Sequence, residues 1–266
     1  MMAMLNFLVI LVLSLGSGFA YYLRPRDKRW KLLSVAFAGA FVVTFWDSFC
    51  LIKFKVCIPL KYDLYAYYLD QRMFWGNSNF YLGQFLNYHP VIKTVTTYVY
   101  FGFLFPLWAI IFLYALKIGD EAPKVVFTVL LNLLLAIPLY AICPVAGPKY
   151  VFPEFPDKIP VPMAPHALFI SAFPNGVPSV HTSTALLVLF FLSRWRSAKI
   201  FGIIWLGFTI LGTLGFGEHY LIDLLLAVPY SLAVIYLGGF EIVRQQRNLT
   251  TGELADERRV PKKTVF

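Results

Sequence analysis

Pro178-Ser179-Val180-His181-Thr182 and, further on, Gly217-Glu218-His219-Tyr220-Leu221-Ile222-Asp223 bracket the stretch that decides how this chain folds. Between the two histidines lie two apolar runs, Ala185–Leu192 and Ile200–Gly215, joined by the basic turn Arg194-Trp195-Arg196-Ser197-Ala198-Lys199. Each run with its flanks is about 15–18 residues, close to what a helix needs to cross roughly 30 Å of hydrocarbon. Two crossings in opposite directions return the chain to the side it left. His181 and His219 are therefore expected on one membrane face, near helix ends. Asp223 follows His219 by four residues, so a last helix running from His219 to Phe240 would carry both on one face.

The rest of the chain reads the same way. Of 266 residues, 59% are hydrophobic, 18% aromatic and only 14% charged, with mean hydropathy +0.68. A soluble domain carries about a quarter charged residues. These figures predict an all-α polytopic membrane protein of about seven spans. Residues 1–90 hold two spans and an outer interfacial segment, 91–243 form a helical core, and 244–266 a polar tail. A net charge of +9 would point to nucleic acid in a soluble protein; here its distribution matters more, and no nucleic-acid partner is expected. Most Lys and Arg residues fall at Arg24–Lys31, Lys117–Lys124, Arg194–Lys199 and Arg244–Lys263. If these share one side, the positive-inside rule makes that side and the C-terminus cytoplasmic, with both histidines on the periplasmic or lumenal face. Lys53, Lys55 and Lys61 run against that assignment.

Outward from the histidines, Val91–Leu116 is expected to span, and Pro123–Ile142 to span back with a kink at Pro138. The loop from Cys143 to Ser179 is proline-rich, hence stiff, and suited to holding a reactive group over a helical scaffold. Met1–Tyr22 carries its positive charge after the apolar run rather than before it, which reads as an uncleaved helix. Leu32–Ile52 follows, with Asp47 near its outer end. Lys53 is the expected partner of Asp47, and a contribution to the site is the second reading. Lys53–Pro90 mixes rings with Asp63, Asp70 and Arg72, as short helices in the outer interface would. His89 in this segment reads as structural. Cys57 and Cys143 both fall near the outer face, where a disulfide is conceivable; buried thiols are the plainer reading. Asn248-Leu249-Thr250 matches a glycosylation sequon, silent on the cytoplasmic side.

The chemistry these residues permit centres on an anion. Asp223 accepting the Nδ1 proton of His219 would leave Nε2 as a free lone pair. Ser179 can cap the helix that carries His181, whose first-turn N–H groups would face an anion. Lys149 adds a point charge, and Gly176 and Gly217 leave room for a headgroup. The same three groups, His181, His219 and Asp223, could instead ligate a metal or relay protons in a transporter. Ser179 lacks the Gly-x-Ser-x-Gly turn of a nucleophile.

Pro178-Ser179-Val180-His181 and His219-Tyr220-Leu221-Ile222-Asp223 resemble the second and third signature motifs of the type 2 phosphatidic acid phosphatase superfamily. Pro144-Val145-Ala146-Gly147-Pro148-Lys149 stands in the place of the first, and the fit looks closest to the inositol phosphorylceramide synthase-like branch. The resemblance covers roughly residues 120–240. It implies a six-helix core preceded by an extra N-terminal helix, and a reaction that needs no metal or other cofactor. It further implies that His219 is the nucleophile, Asp223 its orienting partner and His181 the general acid, acting on membrane lipid substrates. The superfamily's phosphatases carry an arginine where this chain has Thr213, and an arginine after the first-motif lysine that is missing here. Each lost cation in a dry site removes about 2–4 kcal/mol of transition-state stabilisation. A site with one lysine is better matched to a phosphodiester than to a monoester, so headgroup transfer is expected ahead of hydrolysis. Arg72 could fill the gap, with Tyr220 and Asp47 as further accessory candidates; lipid phosphate or isoprenyl (pyro)phosphate hydrolysis is the alternative.

Overall fold

The computed structural model describes residues 2–23, 28–73, 77–161 and 163–240, with side chains from Val12 onward. The chain is a helical bundle with almost no sheet. α1 (Met2–Leu23) and α2 (Lys28–Cys57) form an antiparallel pair, followed by α3 (Asp63–Met73), α4 (Ser78–Tyr88), α5 (Pro90–Phe101) and α6 (Phe105–Lys117). A short 3-10 turn leads to α7 (Ala122–Leu134), α8 (Ala136–Ile142) and one turn of helix, α9 (Pro148–Val151). α10 (Val180–Leu192), α11 (Arg196–Gly215) and α12 (Leu221–Leu237) complete the bundle.

Large apolar side chains face outward along the helices, among them Val42, Phe45, Phe127, Ile203 and Leu232. Such a surface is stable when hydrocarbon is the solvent. Lys28–Cys57, Gly119–Ile142 and Arg196–Gly215 are long and apolar enough to cross a bilayer. α5 and α6 pass the same test only as a pair bent by 54°. Val12–Leu23, Val180–Leu192 and Leu221–Leu237 are apolar but shorter. By length and composition the described residues thus give three spans, or four with the bent pair, where seven were expected.

The two breaks have identifiable causes. Pro106 has no N–H to give the carbonyl of Gly102 and its ring crowds that oxygen, so the chain turns between α5 and α6 rather than continuing as one rod. Pro138 acts likewise on Leu134, and α7 ends there.

α10 is the central helix, packed by α6, α7, α11 and α12. Its lower half enters the main core with Leu33, Phe37, Leu107, Ile111, Val129 and Val234. Its upper half is polar yet buried. Ser183 donates to Asn132 of α7 (2.8 Å), whose amide donates to Thr184 (3.1 Å). A satisfied network of this kind fixes the rotation of α10, and with it the direction of His181.

The basic turns meet at the opposite end of the bundle. Arg194 pairs with Glu121 at 2.8 Å, and the Lys124 ammonium donates to the carbonyl of Gly239 at 3.2 Å. At the histidine end, the proline-rich loop is pinned rather than free. Its strand β2 (Leu168–Phe169) pairs antiparallel with β1 (Leu60–Lys61), Gln84 donates to Pro156 O (2.9 Å), and Tyr67 donates to Pro160 O (3.2 Å). A second apolar cluster, including Leu64, Tyr67, Phe80, Val145, Phe152 and Tyr220, seats α3 and α4 on that end. All three cysteines are free, so Cys57 and Cys143 are not bridged. The Asn248 sequon and the tail from residue 244 lie outside the described residues.

Candidate active site

Pro178 cannot continue a helix backwards, and Ser179 adopts extended backbone (φ −67°, ψ 104°) just before α10. Its hydroxyl accepts the N–H of Thr182 (3.3 Å) and the hydroxyl proton of Thr182 (3.1 Å). Ser179 is thus a helix cap. Its own N–H donates to the carbonyl of Asp223 (3.2 Å), which ties the start of α10 to the start of α12. His181 lies in the first turn of α10. Its ring stacks on Tyr100 of α5 at 4.2 Å and 6°, with Phe103 at 4.3 Å.

His219 is not on the last helix. α12 begins at Leu221, and His219 sits in the turn before it, where the N–H groups of Glu218 and His219 both donate to the carbonyl of Thr213 (3.2 Å each). The helical i, i+4 relation to Asp223 therefore fails, because Gly217 turns the chain in a left-handed conformation (φ 66°) that ends the preceding helix. The two side chains still meet. Asp223, at the third position of α12, reaches back to accept the N–H of Tyr220 (2.8 Å), and the same oxygen lies 3.5 Å from His219 Nδ1.

The nearer partner of Nδ1 is the carbonyl of Gly176, at 3.0 Å. A carbonyl oxygen can only accept, so Nδ1 carries the proton and Nε2 holds the lone pair. Nε2 is buried and has no protein partner among the described residues. Gly176 is required here: a Cβ would stand 2.7 Å from the carbonyl of Val145. Its part is to orient the ring and to pack on the first-motif loop. The rings of His181 and His219 are 6.0 Å apart, centroid to centroid.

Lys149, on α9, forms an ion pair with Glu218, the residue before His219. Its N–H donates to Gly217 O (3.1 Å), and Tyr150 donates to the other oxygen of Glu218 (3.2 Å). Partial burial works against the ammonium, but the Glu218 carboxylate outweighs it and holds the Lys149 pKa above its ordinary value. Lys149 and Glu218 line a cavity of about 390 Å³ with Lys93, Asn87, Thr97 and Phe101.

Of the accessory candidates, Tyr220 adjoins His219 in the chain, while Arg72 lies on α3 and Asp47 on α2. Arg72 is exposed, its guanidinium over the Tyr68 ring at 4.8 Å. Asp47 lies half-buried along α2, and its expected partner Lys53 instead lies over Phe49 at 5.6 Å. Tyr220 is fully buried in the second apolar cluster and precedes the first turn of α12. Among the described residues no three His, Cys, Asp or Glu side chains converge to hold a metal ion.

A family model of the PAP2 superfamily matches residues 67–237. The chain belongs to the PAP2 superfamily. Curated proteins and solved structures give no significant match. The matched region opens inside α3, well before residue 120, where the resemblance in sequence begins. Membership goes with lipid phosphatase or phosphotransferase chemistry in a membrane, and reaches no particular branch.

Several residues at this PAP2 site escaped sequence reasoning. Asp63 accepts the N–H of Gly147, Asp70 accepts the N–H of Leu221 and Ile222, and Asn79 donates to the carbonyl of His219. The one signal was spacing: Asp63 and Asp70 are two helical turns apart and share a face with Tyr67. Tyr100, behind His181, is indistinguishable in sequence from the other rings of α5.

Proposed function

We propose that this chain moves a phospho-headgroup from a lipid phosphodiester to a lipid alcohol through a phosphohistidine at His219. The observation that carries the reading is the Nδ1 hydrogen bond to Gly176, which leaves Nε2 as a buried lone pair with no protein donor among the described residues. His219 Nε2 attacks phosphorus, the bond from phosphorus to the donor lipid's oxygen breaks, and His181 delivers the proton to that oxygen. In the second half, the acceptor hydroxyl gives its proton to His181 and attacks phosphorus, and the N–P bond breaks. Asp223, 3.5 Å from Nδ1, stabilises the positive charge that develops on the ring. The N–H groups of Val180 and His181 at the start of α10 face the same anion. Ser179 supports this grip as a cap, and Gly217 by shaping the turn.

Charge favours a diester. Lys149 is already partly neutralised by Glu218, and where superfamily phosphatases carry an arginine this chain has the fully buried Thr213. With Lys149 partly neutralised, a monoester near two negative charges would find Lys93 of the same cavity as its remaining counter-charge, whereas a diester brings one charge. This fits an inositol phosphorylceramide synthase-like enzyme with about seven spans, the histidines at the periplasmic or lumenal face and the C-terminus in the cytoplasm. The test is lipid mass spectrometry of membranes expressing wild type and His219→Ala. Wild type should yield a lipid that has gained a headgroup, and the variant should not. Phosphate release from phosphatidic acid or isoprenyl phosphates without any headgroup transfer would replace this reading with a phosphatase.

A further inference from the structure

Two carboxylates and an amide from the segment before the histidine helices grip the site's backbone at two separate places. Asp63 opens α3 and is fully buried. Its Oδ1 accepts the N–H of Gly147 at 2.7 Å and that of Ala146 at 3.1 Å, with Oδ2 3.0 Å from the latter. Lys149 stands two residues beyond Gly147. Asp70, two turns along the same face, accepts the N–H of Leu221 (2.6 Å) and of Ile222 (2.8 Å), the first two groups of α12. It thereby caps α12 from outside, a duty that the side chain of Tyr220 does not perform. Asn79 of α4 donates to the carbonyl of His219 itself. On the other flank Thr213 O holds the N–H of His219 at 3.2 Å. The His219 peptide is thus fixed on both sides.

Such an arrangement is expensive for a scaffold. Buried carboxylates are costly unless fully bonded, and an apolar contact would join α3 to α12 more cheaply. Burial raises the Asp63 carboxyl to about 6 and the Asp70 carboxyl to about 7, against backbone N–H bonds that work the other way. Local rules broken at this cost mark places where geometry serves the chemistry.

We infer that Asp63, Asp70 and Asn79 are positioning residues with divided duties: Asp63 sets the Lys149 loop, while Asp70 and Asn79 set His219. The roles of Lys149 and His219 in turnover rest on the function proposed above; the division of labour does not. Two readouts without turnover separate them. Calorimetry with inorganic phosphate reads the Lys149 loop, and ¹⁵N imidazole NMR reads the His219 ring, both on the full chain in detergent. Asp63→Ala should weaken phosphate binding about tenfold and leave the His219 signals in place. Asp70→Ala and Asn79→Ala should move the His219 tautomer balance while phosphate affinity stays within about twofold. Where an alanine variant does not fold, Asp63→Glu and Asp70→Glu keep the acceptor but displace the backbone by one methylene, and should give the same split. Parallel loss of both readouts with melting temperature, or no change in either, would overturn the inference. Absence of lipid turnover alongside an intact split would overturn the proposed reaction only.

Discussion

The Lys149 ammonium is held by the carboxylate of Glu218, the residue that directly precedes His219. On the proposed function, an incoming phosphate competes with a side chain on the same turn as the ring assigned to attack. The pair is partly solvated, with Lys149 about one-third exposed, so the competition is modest. Glu218→Gln should tighten inorganic phosphate binding by about two- to fivefold, and the gain should shrink in high salt. Calorimetry at two ionic strengths checks this, and unchanged affinity would mean that the pair does not guard the anion site.

The carbonyl of Gly176, rather than Asp223, fixes the tautomer of His219. Asp223→Asn should leave the Nδ1-protonated form dominant in ¹⁵N spectra. Turnover should still fall by about 10²-fold, because the charge opposite the developing imidazolium is gone. A tautomer switch in this variant would return the orienting role to the carboxylate.

Gly176→Ala introduces a Cβ 2.7 Å from the carbonyl of Val145, so the two loops must separate. We expect about 1–3 kcal/mol of destabilisation and a larger loss of rate than of substrate affinity, since the acceptor for Nδ1 moves with the loop. Melting temperature together with kcat and KM tests both parts.

Asp63 and Asp70 make stability depend on pH. Burial raises their carboxyls to about 6 and about 7, so the folded chain holds these protons to higher pH than the unfolded chain does. Their contribution is complete below pH about 4 and is lost as pH rises through those two values. Melting temperature in detergent should drop by roughly 5 °C from pH 5 to pH 8 on their account. In Asp63→Asn and Asp70→Asn that slope should flatten, and an unaltered slope would contradict the assignment.

What was legible from the chain follows from periodicity and punctuation. Apolar runs and the paired histidine motifs placed His181 and His219 at one end, since two antiparallel helices joined by a basic turn have little choice. The bend between α5 and α6 was missed: Gly102 and Pro106 lie among Phe101, Phe103, Leu104, Phe105 and Leu107, so no polar break marks it. The start of α12 was misplaced by two residues because Gly217 determines where the turn ends, and glycine announces a turn without fixing its length. The acids of α3 read as part of an interfacial segment, and only tertiary contacts reveal Asp63 on the Ala146–Gly147 backbone and Asp70 as the cap of α12. Lys149 was expected to be free for an anion; its neighbour Glu218 was in plain view, but its pairing depends on the fold of two loops 69 residues apart.

The most direct test is to trap the intermediate. Membranes given a lipid phosphodiester labelled at phosphorus, quenched with base within one turnover and digested for mass spectrometry, should carry an acid-labile phosphoryl headgroup on the imidazole of His219, and none in His219→Ala. Label on another side chain, or product formed by the His219→Ala protein at the wild-type rate, would contradict attack by that ring.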